Sequence, residues 1–453
     1  MKSKMSLIIV FSWGFMLYAQ NVSLTLTQDN IALVNETRSV SLKNGLNLVV
    51  LKDLPLMLEP TSLIFSFNNQ SVKLREQYFA YDLKNTQTML NKSIGNYIRI
   101  LHPELGTVQG TLISAKEGML VIETADGDLQ ILSDNAGLQF IIEKSQMQQA
   151  FATEPTVYCS MESEINSEIS ADMSYLTSGM TWSAEYAAII DESEKEMTLS
   201  TRTNLSNYSG KTFRNCDLVL LAGELNRPLE TRRNLTATGI QRINEMMTSS
   251  AKVDFSEGEE FEYHIYRLGR KIMLENQQQK ILPLYPIQKS EISKIYNYNY
   301  QKDPTGISVI VSAKNSAENG LGYPLPKGIV RIYKKYDNHL LILGEDNIPH
   351  TPPDEKIDLK IGKAFDIIAE RKILDQKKEG KNNERIKISI DFRNRKDQDI
   401  EILVTEPVIS RYEYKILSSN IKIHKKEAKQ VEFIVPLKAN QTNILEYEIL
   451  YNW

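Results

Sequence analysis

The chain has 453 residues, of which 42% are hydrophobic and 24% charged, a composition typical of a globular protein. It excludes a disordered chain, a collagen-like repeat and a polytopic membrane protein, and the length predicts about two to four domains. With 53 basic and 57 acidic side chains the formal net charge is −4, so we predict no nucleic-acid partner. Two cysteines are too few for a disulfide-built scaffold or a cysteine-rich zinc module.

The N-terminal residues 1–19 have the order of a secretory signal peptide. Lys2 and Lys4 precede an apolar run over residues 5–18, and Ala19 precedes polar residues. The run is shorter than the about 20 residues that a spanning helix needs, and an uncleaved anchor is the alternative. We therefore predict export to the periplasm or the extracellular space, with no transmembrane segment left after signal removal.

Apolar and polar residues alternate through most of the following sequence, which predicts a mainly β protein. Residues 20–91 form a predicted N-terminal β domain. Residues 92–145 contain five short strand-like segments separated by tight turns, which predicts a small SH3-like or Sm-like barrel. Such barrels often bind peptides or RNA, but a fold alone does not give a function.

The C-terminal part divides into two further predicted domains. A central β domain is expected over residues 153–375, interrupted by a flexible or helical excursion over residues 227–258. Residues 386–453 contain six strand-like segments at regular spacing, which predicts an immunoglobulin-like β-sandwich. The predicted fold class is therefore a multi-domain β-sandwich assembly.

Several long motifs in the C-terminal part resemble a known family. Residues 175–186, 204–227, 320–335, 344–372 and 447–453 are similar to a bacterial family of exported proteins catalogued as domain of unknown function 4139. The resemblance covers most of residues 155–453, and residues 28–55 also match the usual start of these proteins. It implies a β fold and export but supplies no activity, ligand or catalytic residue.

A related branch of that family, labelled mucoidy inhibitor, carries a long coiled coil between its N- and C-terminal parts. This sequence has no heptad run at that place and has the predicted small barrel instead. The mucoidy label is therefore not carried over to this chain.

One polar cluster has the residue types of a metal site. Carboxylates and an imidazole lie within a few residues of one another, a pattern that could bind a divalent cation or support acid–base chemistry: Glu345, Asp346, His350 and Asp354. The competing interpretation is a polar hairpin, because Asn347 and Pro349 favour turns. The five histidines are dispersed, which argues against a histidine-rich zinc site.

Cys159 and Cys216 raise a separate question, because both lie in strand-like sequence. In an oxidising compartment they could form a disulfide, and the alternative is two separate buried thiols. The chain also has 21 tyrosines and three tryptophans, which could stack on sugar rings when exposed or fill the core between sheets when buried.

The sequence contains no nucleophile elbow, no phosphate-binding loop and no dinucleotide-binding glycine motif. We therefore predict a non-enzymatic exported β scaffold that uses no cofactor and binds a protein or glycan of the cell envelope. Two alternatives remain open at this stage. One is an exported metal-dependent hydrolase centred on the 345–355 cluster, and the other is a carbohydrate-binding protein.

Overall fold

A computed structural model describes residues 20–82, 85–116, 118–133, 137–142, 152–227, 255–260, 262–337, 339–409 and 411–453. The predicted signal segment and most of the predicted excursion over residues 227–258 lie outside these residues. Within them the protein is mainly β, with 32 strands and one α-helix, which confirms the predicted fold class. The helix α1 (Thr86–Lys92) begins after Asn85, whose side chain accepts a hydrogen bond from the backbone N–H of Thr88.

The first ten strands are β1 (Gln20–Thr27), β2 (Ile31–Leu42), β3 (Gly45–Leu51), β4 (Ile64–Phe67), β5 (Val72–Ala80), β6 (Tyr97–His102), β7 (Gly106–Lys116), β8 (Met119–Glu123), β9 (Leu129–Leu132) and β10 (Gln139–Ile142). The next ten are β11 (Thr156–Ser163), β12 (Ser167–Ser178), β13 (Met180–Ile190), β14 (Glu196–Asn207), β15 (Phe213–Ala222), β16 (Phe255–Glu260), β17 (Tyr263–Leu268), β18 (Ile272–Leu274), β19 (Gln278–Pro283) and β20 (Gln288–Glu291).

The last twelve strands are β21 (Ser293–Asn299), β22 (Ser308–Lys314), β23 (Gly328–Tyr336), β24 (His339–Ile348), β25 (Lys356–Lys363), β26 (Ile367–Lys378), β27 (Asn383–Asn394), β28 (Ile400–Pro407), β29 (Glu413–Ser419), β30 (Ile423–Lys426), β31 (Gln430–Leu437) and β32 (Thr442–Asn452). Short 3₁₀ turns occur at Pro60–Ser62 and Ala317–Asn319.

The chain folds into two compact units. The first contains the described parts of residues 1–182, 205–239 and 256–280, and the second those of residues 183–204, 240–255 and 281–453. In the first unit a sheet of order β16-β17-β15-β1-β2-β12-β4 carries β18 beside β15, and β1 runs parallel to β15. Burial alternates along β2 and β12, as their alternating sequence predicts, so one face of this sheet lies in the core.

The five strands predicted within residues 92–145 are present as β6 to β10. They form one sheet of order β10-β6-β7-β8-β9 over a core that includes Ile100, Leu112 and Ile122. Gly110 has a specific role, because a Cβ there would lie 2.2 Å from the backbone oxygen of Glu123 on β8. Among the described residues β9 and β10 remain the two edges of the sheet, so closure into a barrel stays a prediction.

A second three-stranded sheet of the first unit, of order β3-β11-β5, pairs strands that are more than 70 residues apart in sequence. One of its faces is buried through Val49 and Leu51 on β3 and Cys159 and Met161 on β11. Since side chains alternate across a strand, the residues between these positions point to the opposite face.

The second unit contains three sheets. One has the order β19-β14-β13-β23-β24 with β20 beside β14, another the order β25-β22-β21-β28-β31-β30, and the third the order β26-β27-β32-β29. The last two share one hydrophobic core, which includes Phe392, Phe433 and Tyr447. The six strands predicted within residues 386–453 are present as β27 to β32, and the same core also takes in Tyr298 and Ile367 from earlier strands.

Candidate functional site

The predicted metal cluster begins on β24, where Glu345 and Asp346 are neighbours and therefore point to opposite faces of the strand. Glu345 accepts a hydrogen bond from the Nε of Arg331 at 2.9 Å, and Arg331 also contacts Glu185 at 2.7 Å. Asp346 accepts a hydrogen bond from the backbone N–H of Lys360 at 2.7 Å. Both carboxylates are thus held by groups on adjacent strands.

The remaining residues of that cluster follow β24 in a turn. The Nδ1 of His350 accepts a hydrogen bond from the backbone N–H of Lys327 at 3.2 Å. The Asp354 side chain is 77% exposed, and its nearest cation is Lys314 at 3.6 Å. Across the part of the chain that the structure describes, no group of three or more histidine, cysteine, aspartate or glutamate side chains is placed to hold a metal ion. A metal site at residues 345–355 therefore stays a prediction, which metal titration would test.

Cys159 and Cys216 are both free and buried in the structure, on β11 and β15. The Sγ of Cys216 donates to the backbone oxygen of Ile272 at 3.1 Å. Burial raises the pKa of the Cys159 thiol to about 12 and that of Cys216 to about 11, so both are protonated and weakly nucleophilic at neutral pH. Pairing between them stays a prediction that thiol counting would test.

The outward face of the β3-β11-β5 sheet carries an apolar row along β3, where an antiparallel sheet with one buried face usually carries polar side chains. Leu46, Leu48 and Val50 alternate along β3 on this side, and Leu46 is 65% exposed and Leu48 42%. Val50 pairs with Tyr158 on β11, which pairs in turn with Tyr78 on β5. We call the surface formed by Leu46, Leu48, Val50, Tyr158 and Tyr78 the β3 face.

Ring stacking and ion pairs fix several side chains on and beside the β3 face. The rings of Tyr78 and Tyr158 stack with centroids 4.7 Å apart and an interplanar angle of 9°. Arg75 contacts Glu162 at one side of the sheet, and Lys52 contacts Glu154 at 2.9 Å. Exposed apolar side chains beside charged residues are a usual feature of protein-binding surfaces.

A buried ion cluster fixes the chain where β3 ends. Arg38 on β2 bonds Glu36 through Nε at 2.9 Å and through a terminal nitrogen at 2.6 Å, and both side chains are almost fully buried. Arg38 also donates to the backbone oxygen of Lys52 at 2.6 Å. The ammonium of Lys211 reaches the backbone oxygen of Asp53 at 2.5 Å. These bonds hold residues 52 and 53, which sets the position of the C-terminal end of β3.

The β3 face was not among the predicted sites, although the sequence of β3 indicates apolar side chains on both faces of the strand. Residues 48–51 read Leu-Val-Val-Leu, so apolar side chains occur on both faces of the strand. Such a run is typical of a strand that is covered on both sides. Here one side is covered by the protein core, and the other side carries exposed leucine and valine.

The aromatic residues divide between core and surface. Trp182, Tyr175, Tyr186 and Tyr298 are fully buried, which matches their use as core residues. The Trp182 ring meets the ring of Tyr266 edge to face at 5.9 Å, inside the first unit. Exposed aromatic side chains include Tyr78, Tyr336 and Phe365, and a carbohydrate site stays a prediction.

Taken as a whole, the described residues define an all-β protein built from several sheets. The family described as Domain of unknown function (DUF4139) matches residues 171–453, which is more than half of the chain. The chain therefore belongs to this family, and the resemblance found in the sequence is confirmed. No helix among the described residues is long and apolar enough to cross a membrane.

Other comparisons add little. No curated protein matches the chain. A crystal structure of a "putative protease" from Parabacteroides distasonis ATCC 8503 aligns with 96% of this chain and 99% of its own length, at 8% sequence identity and a TM-score of 0.13. At that TM-score the similarity carries no argument about fold or function.

Proposed function

We propose that this protein is an exported, non-enzymatic β scaffold that binds a protein partner in the cell envelope through the β3 face. The observation that supports binding is the exposed apolar row of Leu46, Leu48 and Val50 on a strand whose opposite face is buried. The proposal of export rests on the signal-like order of residues 1–19.

The position of β3 favours one mode of binding. Among the described strands β3 pairs only with β11, so it forms an edge of its sheet. An edge strand can pair its backbone with an added strand, while alternate side chains pack against the same face. The partner would therefore present an extended segment with apolar side chains at alternate positions, matching the two-residue spacing of Leu46, Leu48 and Val50.

A substitution within the β3 face tests the proposal. Three forms of the mature chain from Gln20 would be immobilised: wild type, Leu48→Lys and Leu374→Lys. Each would be exposed to solubilised cell-envelope proteins. Leu374 is a matched control because it is 49% exposed on β26 of the second unit. We expect a discrete protein to bind wild type and Leu374→Lys, and binding to Leu48→Lys to fall about tenfold or more, since a charge would be buried against the partner's apolar side chains.

Equal retention of the same proteins by all three forms would contradict the β3 face as the binding surface. Export is tested separately by fractionation and N-terminal sequencing, with an exported chain beginning at Gln20 as the expected result. A full-length chain in the cytoplasm would contradict export.

A further inference from the structure

The second unit contains a cavity of about 440 Å³ with a distinctive lining. Strands β21, β22 and β25 supply one part of its wall, and β13, β23 and β24 supply another. This volume falls within the range of about 300–1,000 Å³ that is usual for small-molecule sites. We call it the lysine cavity, after the four lysines that line it: Lys294, Lys334, Lys363 and Lys396.

Two of these lysines share one carboxylate. Lys294 bonds one oxygen of Glu194 at 2.6 Å, and Lys334 bonds the other oxygen. Lys396 lies 3.4 Å from Asp366, while Lys363 pairs with Asp303. The four lysines thus meet three carboxylates, Glu194, Asp366 and Asp303, and this excess of one cation favours an anionic guest.

The shared carboxylate helps to keep Lys294 charged. Burial by itself would lower the pKa of Lys294, but the interactions with Glu194 and Tyr296 outweigh it and hold that pKa above its ordinary value. For Glu194, burial acts to raise the pKa, and the bonds from Lys294 and Lys334 reverse this and lower it. The Lys294 ammonium is thus present at neutral pH.

The rest of the wall is apolar. Its side chains are aliphatic and come from β13, β22, β24, β25 and the residue between β20 and β21: Ile190, Ile292, Val309, Val311, Leu343 and Ile361. Phe365 also lines it, between β25 and β26, and is 95% exposed. Aliphatic walls and an exposed aromatic ring favour a ligand with an apolar body over a hydroxylated ligand.

Tyr296 supplies an independent observation. Its side chain lines the cavity and the residue is only 6% exposed. No hydrogen bond of ordinary geometry joins its hydroxyl to the described residues, but the hydroxyl lies close enough to Lys294 to help raise the pKa of that ammonium. Since buried tyrosine hydroxyls usually find a partner, an oxygen of a bound molecule would satisfy this one.

From these features we infer that the lysine cavity binds a small amphipathic organic anion. The acidic head group would lie on Lys294 and Lys334 with the Tyr296 hydroxyl beside it, and the apolar body would lie along the aliphatic wall toward Phe365. This site is separate from the β3 face and does not depend on the proposed function.

Isothermal titration calorimetry of the mature chain tests the inference with three probes. Decanoate below its micelle concentration carries both the acid and the apolar body, 1-decanol lacks the charge, and glucuronate lacks the apolar body. We expect saturable 1:1 binding of decanoate, with 1-decanol and glucuronate each at least about tenfold weaker, because each lacks one of the two interactions.

Three variants locate the site. Lys334→Met should weaken decanoate binding about tenfold through loss of a charged hydrogen bond, and Tyr296→Phe about threefold to tenfold through loss of a neutral one. Thermal melting of Tyr296→Phe checks that the variant is folded, so that its weaker binding reports the lost hydroxyl. The control is Lys377→Met, which removes an exposed lysine paired with Asp375 on β26, and it should bind decanoate as wild type does.

Three outcomes would overturn the inference: no saturable decanoate binding, equal affinity for decanoate and either partial probe, or equal loss in Lys334→Met and Lys377→Met. If Lys334→Met fails to fold, Tyr296→Phe decides alone, and unchanged affinity in that variant would also contradict the site.

Discussion

The two units of this protein differ in the kind of group that their candidate binding surfaces leave accessible. The first unit encloses Glu36 and Arg38 and leaves the apolar β3 face exposed. The second unit buries its apolar residues between two sheets and leaves lysines at the wall of a cavity. Enclosed charges such as Arg38 hold the backbone in place, whereas our two proposals place other molecules on groups that are exposed or face a cavity.

The sharpest test of this contrast removes the enclosed charge. Arg38→Met leaves Glu36 without its main partner, so we expect the free energy of unfolding to fall by about 3–5 kcal/mol in urea titrations. Arg75→Met is the matched control, because Arg75 and Glu162 form an exposed pair that should contribute about 0–1 kcal/mol. If the free energy of unfolding fell equally in the two variants, enclosed and exposed charges would not differ in their effect on stability.

The two faces of β3 should also differ. Leu51 is buried and Leu48 is exposed on the same strand. We expect Leu51→Ala to cost about 2–5 kcal/mol through lost burial and a cavity, and Leu48→Ala to change stability by no more than about 0.5 kcal/mol. Thermal and urea unfolding would measure both, and a large cost for Leu48→Ala would show that the β3 face is covered within the isolated chain.

A smaller effect is expected from Glu406, a charge enclosed in the second unit. Burial raises the pKa of Glu406, and its contacts with Arg371 at 3.1 Å and with the Tyr447 hydroxyl offset only part of that rise. One oxygen, Oε1, has no hydrogen-bond partner among the described residues.

The folded protein therefore binds a proton on Glu406 more tightly than the unfolded chain does. This contribution to stability is fully present below the unfolded pKa and is lost as the pH rises through the folded pKa. In urea titrations at several pH values, Glu406→Gln should show less of this loss than wild type. The same pH profile in both proteins would contradict the assignment.

The smallest effect is expected from divalent metals. Glu345 and Asp346 already accept hydrogen bonds from protein groups, and Asp354 is largely exposed. We expect melting of the mature chain to be unchanged by chelator or by a panel of divalent cations. A clear metal-dependent shift, abolished in His350→Ala and Asp354→Ala, would instead support the metal-dependent hydrolase.

Much of the fold could be predicted because strand alternation is a local signal. The alternation along β2 and β12 gave both the strand type and the buried face. The same rule could have separated Glu345 from Asp346, since neighbours on one strand point to opposite faces.

The candidate sites could not be predicted, because they are formed by residues that are distant in sequence and meet only in the folded chain. Lys294 and Lys334 meet at Glu194 only because β21 and β23 bring them there from distant parts of the chain. Likewise, the run Leu48–Leu51 indicated apolar side chains on both faces of β3, but only the structure shows which face the protein itself covers.

The proposed contact between the β3 face and a partner in the cell envelope can be tested in growing cells. A photo-crosslinking amino acid is placed at position 48 or at position 374 of the full-length protein. We expect irradiation to join position 48 to one discrete envelope protein and to leave position 374 without that product. The same products at both positions, or none at position 48, would contradict the claim.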